Sequence, residues 1–204
     1  MRLSFLAVPV ALALLLPASG ARAQGFQFGP EVGVSVPTGD ASDVAELGFD
    51  VGLTGTYMVS PVVGIGGDFG YHSWAGSDDL NEATDLLLSA LVGFPVTGSE
   101  WSWSALQMTL HMKLVAPTNG PVAPWFKGGL GLYNVKAKLE VLGESEAESE
   151  SKLGFNVGAG IDFGTASTTT FGIAAAYHHI PTEDDFGANF TAFTVGVHVL
   201  FGTR

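Results

Sequence analysis

One strongly patterned stretch near the end of the chain, residues 189–201, constrains the fold more than any other feature. Apolar residues occupy every odd position from 193 to 201. The even positions are small or polar, and Leu200 is the one break in the alternation. A period of two is typical of a β-strand with two unlike faces. The small or polar face carries Ala192, Thr194, Gly196 and His198. Because that face does not suit a dry core, we expect the apolar face to contact lipid.

The N-terminus has the composition of a secretory signal peptide. A basic start precedes an apolar run over 3–16, and Ala21-Arg22-Ala23 matches an A-x-A cleavage site. We predict a signal peptide over 1–23 and one mature domain over 24–204, which holds 181 residues (204 − 23). A membrane anchor is the alternative, but about 14 apolar residues are too few to span a bilayer. The chain has no cysteine, which excludes a lipoprotein anchor and a disulfide scaffold.

The chain is acidic. Its formal net charge is −12, and it becomes −14 (−12 − 2) without the predicted signal peptide, which holds Arg2 and Arg22 and no acid. Nucleic acid is therefore not an expected partner, since its phosphates would be repelled. The 28 glycines suit a narrow barrel whose interior admits residues without side chains.

The same alternation recurs along the rest of the chain. It predicts an all-β fold, namely an eight-stranded antiparallel up-and-down transmembrane β-barrel. The predicted strands cover 26–36, 47–57, 63–74, 102–114, 123 to about 137, 153–163, 169–179 and 189–201. No charged residue falls on the predicted lipid face of these spans. A water-soluble lipocalin-type barrel would need the opposite arrangement of faces.

The connections between the predicted strands alternate between long and short, and the long ones carry most of the acidic residues. Barrels of the outer membrane have long extracellular loops and short periplasmic turns. We therefore predict a cell outer membrane location, with both termini in the periplasm and acidic loops outside the cell.

Two connections have a pattern of their own. In the longest, 75–100, an acidic start after Ser77, apolar residues at three- and four-residue spacing and a stop at Gly93 predict a short helix. A strand over 86–92 is the alternative. In the fifth strand the apolar phase changes near Tyr133-Asn134, which indicates either a β-bulge or a strand that has left the membrane. We interpret the Glu/Ser run 144–150 as a solvated loop tip.

Three segments and the C-terminus support a resemblance to a known family. The segments are FGPEVGVSVPTGD, LQMTLHMKLVAP and PWFKGGLGLY. With the ending, they resemble the small outer-membrane β-barrel superfamily (porin family, OmpA/OmpW-like). The resemblance covers nearly the whole mature chain and implies a Gram-negative-type envelope.

The ending also resembles the C-terminal assembly signal of these barrels, which combines a polar residue, a glycine and two hydrophobic residues, the last aromatic. The matching residues are Thr194, Gly196, Val199 and Phe201, although the chain continues to Arg204. The resemblance implies three partners: the barrel assembly machinery, outer-membrane lipids and lipopolysaccharide. We expect a monomer without a cofactor.

The predicted interior face carries both charges and histidines. The expected polar network comprises Glu31, Asp50, Asp68, His111, Lys113, Lys127 and Asp162, with His72, His178 and His198 on the same face. Eight strands enclose a space that side chains nearly fill, which favours a packed ion-pair interior over a polar channel or a proton-linked site. Four acids exceed two lysines, so we expect a histidine to help, or one acid to be protonated or hydrated. We expect Glu31, Asp68, His111 and Lys127 at similar depths.

A metal site is not expected from the histidines. Counting from the turns places His198 near the periplasmic end, His111 midway, and His72 and His178 near the other end on strands far apart. Three of them therefore do not converge on one ion. The acidic loops offer carboxylate oxygens for weak binding of divalent cations.

An enzymatic interpretation has one basis. Tyr177-His178-His179-Ile180 resembles the segment in which lipid A deacylases, also eight-stranded barrels, place a histidine two residues before a serine. Here Ile180 and Pro181 occupy those positions, and Thr182 is one place out of step. Without a nucleophile for the histidine to activate, we predict no catalytic residues and no enzyme.

Two functions remain from different classes. The first is a structural or interaction protein of the outer membrane with acidic extracellular loops. The second is a narrow OmpW-like channel for small or apolar solutes, which the resemblance implies would pass through a lateral opening. The inward glycines fit either a cavity or a tight taper.

Overall fold

The computed structural model describes residues 25–164, 168–182 and 189–202. The chain forms a closed barrel in which each strand pairs antiparallel with its sequence neighbours, and the first strand pairs with the last. The strands are β1 (Phe26–Thr38), β2 (Ala45–Met58), β3 (Val63–Gly76), β4 (Glu100–Val115), β5 (Val122–Val141), β6 (Glu144–Phe163), β7 (Thr169–Ile180) and β8 (Phe190–Gly202). The predicted eight-stranded up-and-down barrel is confirmed. The predicted signal peptide lies outside the described residues.

The two faces of the strands are arranged as predicted, with apolar residues outside and small or polar residues inside. Apolar side chains that alternate along each span are exposed on the outside, as Val195 and Val197 of β8 show. Their neighbours Thr194 and His198 are buried inside. Leu200, the break in the pattern, is buried on the inner face near the chain end. Polar residues inside and apolar residues outside are the arrangement that hydrocarbon around the barrel requires.

Two helices lie in the connections. The short helix α1 (Ala41–Val44), which was not predicted, joins β1 to β2. The predicted helix after β3 is present as α2 (Asp78–Val92), and the alternative of a strand there is wrong. The Ser77 side chain caps its first turn by accepting a hydrogen bond from the Leu80 N–H, and Gly93 ends it in the left-handed conformation (φ 77°). Among the described residues, no helix is long and apolar enough to cross a membrane.

The β5–β6 hairpin is longer than predicted. Every residue from Val122 to Val141 pairs with a residue of β6, so no bulge interrupts β5 near Tyr133. The prediction of a loop tip over 144–150 is wrong, because these residues form the first part of β6. The turn is Leu142-Gly143, both with positive φ, as a two-residue hairpin turn requires.

The change of phase in β5 follows from where the strand runs. Val135 and Ala137 are buried on the inner face, whereas Lys136 points outward and is exposed. Beyond the lipid-facing part of the wall the outer face is polar and the inner face is apolar. The second interpretation, a strand that has left the membrane, therefore fits the observed burial.

The interior has three layers. The end with the short turns, here the short-turn end, is filled by Met58, Val115, Ala123 and Trp125. The opposite end, here the loop end, is filled by a larger apolar cluster that includes Trp74, Trp103, Tyr133, Val135, Ile180 and Phe190. Buried polar and charged side chains lie between these two caps and form the candidate site.

Candidate functional site: the polar layer inside the barrel

Asp68 of β3 is the centre of the first charged cluster. Its Oδ1 accepts hydrogen bonds from Lys127 Nζ at 3.0 Å and from the Thr54 hydroxyl at 2.7 Å. Its Oδ2 lies 3.0 Å from His111 Nδ1 and accepts from the Thr109 hydroxyl at 3.3 Å. A buried carboxylate is stable only when its oxygens are satisfied in this way. Four neighbouring side chains therefore hold Asp68 in the interior.

His111 adds a second contact between this cluster and β2, which already contributes Thr54. Its second ring nitrogen, Nε2, lies 2.9 Å from the Thr56 hydroxyl, so both ring nitrogens have partners. Gly66, on the strand between, leaves room for the imidazole: a Cβ there would lie 2.8 Å from His111 Nε2. The glycine is part of the site because it admits the ring.

Asp162 of β6 is the centre of a second cluster, nearer the short-turn end. Its Oδ2 accepts from Lys113 Nζ at 3.0 Å, and its Oδ1 accepts from Trp125 Nε1 at 2.7 Å and lies 2.9 Å from His198 Nε2. The Lys113 ammonium also lies over the Trp125 ring, 4.6 Å from its centroid. Each buried aspartate thus contacts one lysine and one histidine.

The remaining two acids line the central cavity. Glu31 and Asp50 face a space of about 60 Å³ that both charged clusters border. Within the described part of the chain, Asp50 Oδ1 is buried without a hydrogen-bond partner. A polar cavity of this size admits water. The seven residues of the expected network lie in or beside this layer, and His111 and His198 contact Asp68 and Asp162.

His72 and His178 lie on strands on opposite sides of the barrel, as predicted, but their side chains meet in the lumen, which was not expected. Their rings are in edge contact with centroids 4.9 Å apart, although they belong to β3 and β7. The narrow lumen brings opposite walls together, which a count of strand positions does not include. His72 Nε2 lies 2.9 Å from Gln107 Oε1, and His178 Nδ1 lies 3.2 Å from the Tyr133 hydroxyl. The residues described here contain no group of three or more His, Asp or Glu side chains that could hold a metal ion.

The sequence and the architecture agree with a known family. The sequence matches the family model "Outer membrane protein beta-barrel domain" over residues 8–201. The chain belongs to this family. Membership places it in the outer membrane of a Gram-negative-type envelope. No curated protein shows significant sequence similarity to it.

Solved structures of small outer-membrane barrels are similar to this one. Neisserial surface protein A superposes with a TM-score of 0.58 at 11% identity, covering 86% of this chain and 96% of the other. A major outer membrane protein from Thermus thermophilus superposes with a TM-score of 0.54 at 10% identity, covering 87% of this chain and 99% of the other. The attachment invasion locus protein of Yersinia pestis superposes with a TM-score of 0.51 at 16% identity, covering 88% of this chain and 99% of the other. At these identities the likeness shows the fold alone.

The predicted assembly signal lies at the closing edge of this outer-membrane barrel. Thr194 and Gly196 are on the inner face, and Phe201 is exposed on the outer face. The Phe201 ring lies 6.2 Å from the Phe28 ring across the β1–β8 pair. Val199 is on the same outer face and pairs with Phe171.

The segment that resembles a hydrolase offers no free nucleophile. The Thr182 hydroxyl is buried and accepts a hydrogen bond from the Phe190 N–H at 2.9 Å. His179 is on the outer face, where its ring lies 5.1 Å from the Phe155 ring. Neither contact resembles a base poised beside an activated hydroxyl.

Several residues of the site were missed by sequence reasoning. Trp125, Tyr133, Gln107 and Asn156 all border the polar layer or its caps. The alternation along β5 could have located two of them, because Trp125 and Tyr133 occupy odd positions, as does the inward-facing Lys127. Large apolar rings at inner positions mark the ends of the lumen.

Proposed function

We propose that this outer-membrane barrel is a closed, non-conducting protein whose function resides on its surface, as a structural or interaction protein. The single observation that carries the proposal is the filling of the lumen at both ends by apolar side chains. Solute passage needs a continuous path, and here a buried apolar cluster lies on each side of the polar cavity along the lumen.

The cap at the loop end is tightly built. The Trp74 ring lies 4.5 Å from the Phe190 ring, and Trp74 Nε1 donates to the Ser35 hydroxyl at 3.0 Å. Trp103 packs on the same Phe190 ring at 5.9 Å and donates to the Val44 carbonyl at 3.2 Å. Side chains from β1, β3, β4 and β8 therefore hold one another in place across the lumen.

The inner glycines support closure, since neighbouring side chains fill the space that they leave. A Cβ at Gly160 would lie 2.6 Å from Trp125 Cε2, and one at Gly64 would lie 2.9 Å from Met58 Sδ. These glycines leave space that the large side chains of the short-turn cap fill. This favours a lumen that narrows toward the short-turn end over a wide cavity.

The surface that such a protein offers to partners lies at the loop end, which we place outside the cell, with both termini in the periplasm. The β5–β6 hairpin presents Glu144, Glu146 and Glu148, all exposed. An acidic surface of this kind attracts divalent cations, including those bound to lipopolysaccharide, and basic partners.

The alternative is an OmpW-like channel, and one observation favours it. An apolar groove of about 670 Å³ on the outer wall is lined by Phe26, Phe28, Leu53, Phe69, Met108 and Leu110. Its floor is the paired glycines Gly55 and Gly67, where the pairing of β2 with β3 is continuous. A lateral passage would need these two strands to part.

Conductance across planar lipid bilayers tests the proposal. We expect no current steps from the purified, folded barrel, while a large general porin reconstituted in the same way gives steps. Reproducible steps from this chain would overturn the proposal and favour the channel.

We also propose that the barrel is monomeric and that the assembly machinery engages β8. Among the described strands, the closed wall leaves no edge in its lipid-facing span to pair with another copy. Since β6 pairs with β7 only from Phe155 to Phe163, the rest of that edge lies in the hairpin beyond the wall. Replacing Phe201 with alanine is expected to slow the appearance of folded protein in the outer membrane. Phe163→Ala, a change to another exposed outer aromatic near the short-turn end, is the matched control. Equal assembly rates for the two variants would contradict the assignment.

A further inference from the structure

Helix α2 turns its polar side toward the protein. Asn81 and Thr84 side-chain oxygens accept from the Trp101 backbone N–H and the Trp101 ring N–H, both at 2.9 Å. The Asp85 carboxylate accepts from the N–H groups of Gly98 and Ser99 at 3.0 and 2.9 Å. Ser89 Oγ accepts from the Val96 N–H at 2.7 Å. This stripe, spaced by three and four residues, faces one side of the helix.

The opposite side of α2 is apolar and exposed. Leu86, Leu87 and Leu91 are 65%, 72% and 82% exposed, and Val92 and Phe94 beside them are exposed too. A surface helix in water has its apolar stripe against the core and its polar face outward. Here the arrangement is the reverse. The helix cannot roll to bury its leucines without breaking the hydrogen bonds of its polar stripe.

The barrel wall likewise has its apolar residues outside, and its apolar face on β2 begins near the base of α2. The exposed outer residue Leu47 begins the apolar face of β2. Three residues away, the Val44 carbonyl accepts from the Ser77 N–H at 3.1 Å, at the base of α2. The apolar outer face of β2 therefore begins within three residues of the contact that holds the base of α2.

Charge supports lipid as the occupant of this face. The acids of α2 are confined to its first half, and residues 86–99 contain no charged side chain. A partner protein that recognised this face through ion pairs would find no charge there, whereas insertion of 86–94 among acyl chains buries none.

We propose that the second half of α2, with Phe94, lies in the lipid leaflet that borders the loop end and anchors this connection to the membrane. The leucines sit at the level of the headgroup and acyl boundary, as in interfacial helices. This inference rests on the outer-membrane location and does not depend on whether the barrel conducts.

Site-directed spin labelling of the full chain in phosphatidylcholine nanodiscs tests the proposal. The chain has no cysteine, so single-cysteine variants carry one label each. Leu87→Cys and Leu91→Cys report on the helix. Leu130→Cys on the wall is the lipid reference, and Leu142→Cys at the tip of the β5–β6 hairpin is the aqueous reference. Power saturation with oxygen and with a water-soluble nickel chelate measures the surroundings of each label.

We expect nickel accessibility at positions 87 and 91 to be several-fold lower than at 142, with oxygen accessibility close to that at 130. Nickel accessibility equal to that at 142 would overturn the proposal. Low accessibility to both reagents, with spectral broadening that disappears on dilution with unlabelled protein, would also overturn it and indicate a second copy of the chain on this face.

Discussion

The Nζ atom of Lys127 on β5 lies 3.0 Å from Oδ1 of Asp68 on β3, although β4 separates the two strands in the wall. The bond passes through the lumen and ties together parts of the wall that share no backbone hydrogen bonds. Both side chains are largely buried, so the pair is shielded from bulk solvent and from salt, although it borders the small polar cavity.

Replacing Lys127 with methionine retains most of the side-chain length and removes the charge. We expect the free energy of unfolding in detergent to fall by about 3 kcal/mol, because a buried carboxylate loses its cationic partner. Urea titration followed by tryptophan fluorescence measures it. The control is Lys138→Met, since Lys138 and its partner Glu140 are both half exposed; it should cost less than about 1 kcal/mol. Equal midpoints for K127M and the unmodified chain would contradict an ion-pair interior.

Gly160→Ala should destabilise the barrel. The new Cβ would lie 2.5 Å from the Ile173 carbonyl oxygen and 2.6 Å from Trp125 Cε2, so the ring or the strand must move. We expect a loss of about 1–3 kcal/mol, typical of overpacking. Gly128→Ala is the matched control, since nothing lies within 4 Å of its Cβ position. Similar unfolding midpoints for the two variants would show that the short-turn cap is not tightly packed.

Leu130→Arg and Leu142→Arg distinguish lipid from water around the wall. The two leucines are similarly exposed, 65% and 73%, but one is on the outer wall and the other at the hairpin tip. We expect the first change to cost about 2–4 kcal/mol in lipid vesicles, the cost of arginine near the bilayer midplane, and the second to cost little. Unfolding titrations in vesicles measure both. A neutral effect of Leu130→Arg would place that face in water.

The attachment of α2 should weaken in acid. Ser99 lowers the pKa of the Asp85 carboxyl, through its side chain and then its backbone N–H, and the Gly98 N–H adds to the shift. The Ser99 Oγ atom meets no partner at hydrogen-bond geometry, so the two backbone bonds carry this prediction. A lowered pKa means that the stabilisation is present above the ordinary aspartate pKa and is lost as the pH falls through the lowered value.

Hydrogen exchange at the Gly98 and Ser99 amides, corrected for intrinsic rates, checks this expectation. Protection should be constant near neutral pH and should decrease below about pH 4, the ordinary range of aspartate. Asp85→Asn should have lower protection that does not change with pH in this range. Protection that stays constant to lower pH in the unmodified chain would contradict the role of the carboxylate.

The fold was predictable from sequence because hydrocarbon imposes one strict rule on each strand. Alternation located all eight strands, and the cap and stop signals at Ser77 and Gly93 located α2. The rule failed where lipid ends. In β5 the inner face becomes apolar at Val135 and Ala137, so the pattern no longer distinguished a strand from a loop, and the long hairpin was missed.

The contents of the interior were predictable, but not the partners. The alternation along each strand placed Asp68, Lys127 and Asp162 on the inner face. Which lysine meets which aspartate depends on stagger and on the width of the lumen, and neither can be obtained from one strand at a time. The contact of His72 with His178 was missed for that reason. The apolar caps were missed because a single tryptophan on the polar face of a strand looks like a break in the alternation. Only a comparison of all the strands shows that such residues cluster at the two ends of the lumen.

The pairing of β1 with β8 has a consequence for biosynthesis. Phe28 of the first strand pairs with Phe201 of the last, so the wall cannot close until the final strand has been made. Until then the incomplete sheet has unpaired strand edges beside exposed apolar side chains, and both promote aggregation. We therefore expect a chain that lacks β8 to need protection from aggregation until the barrel can close.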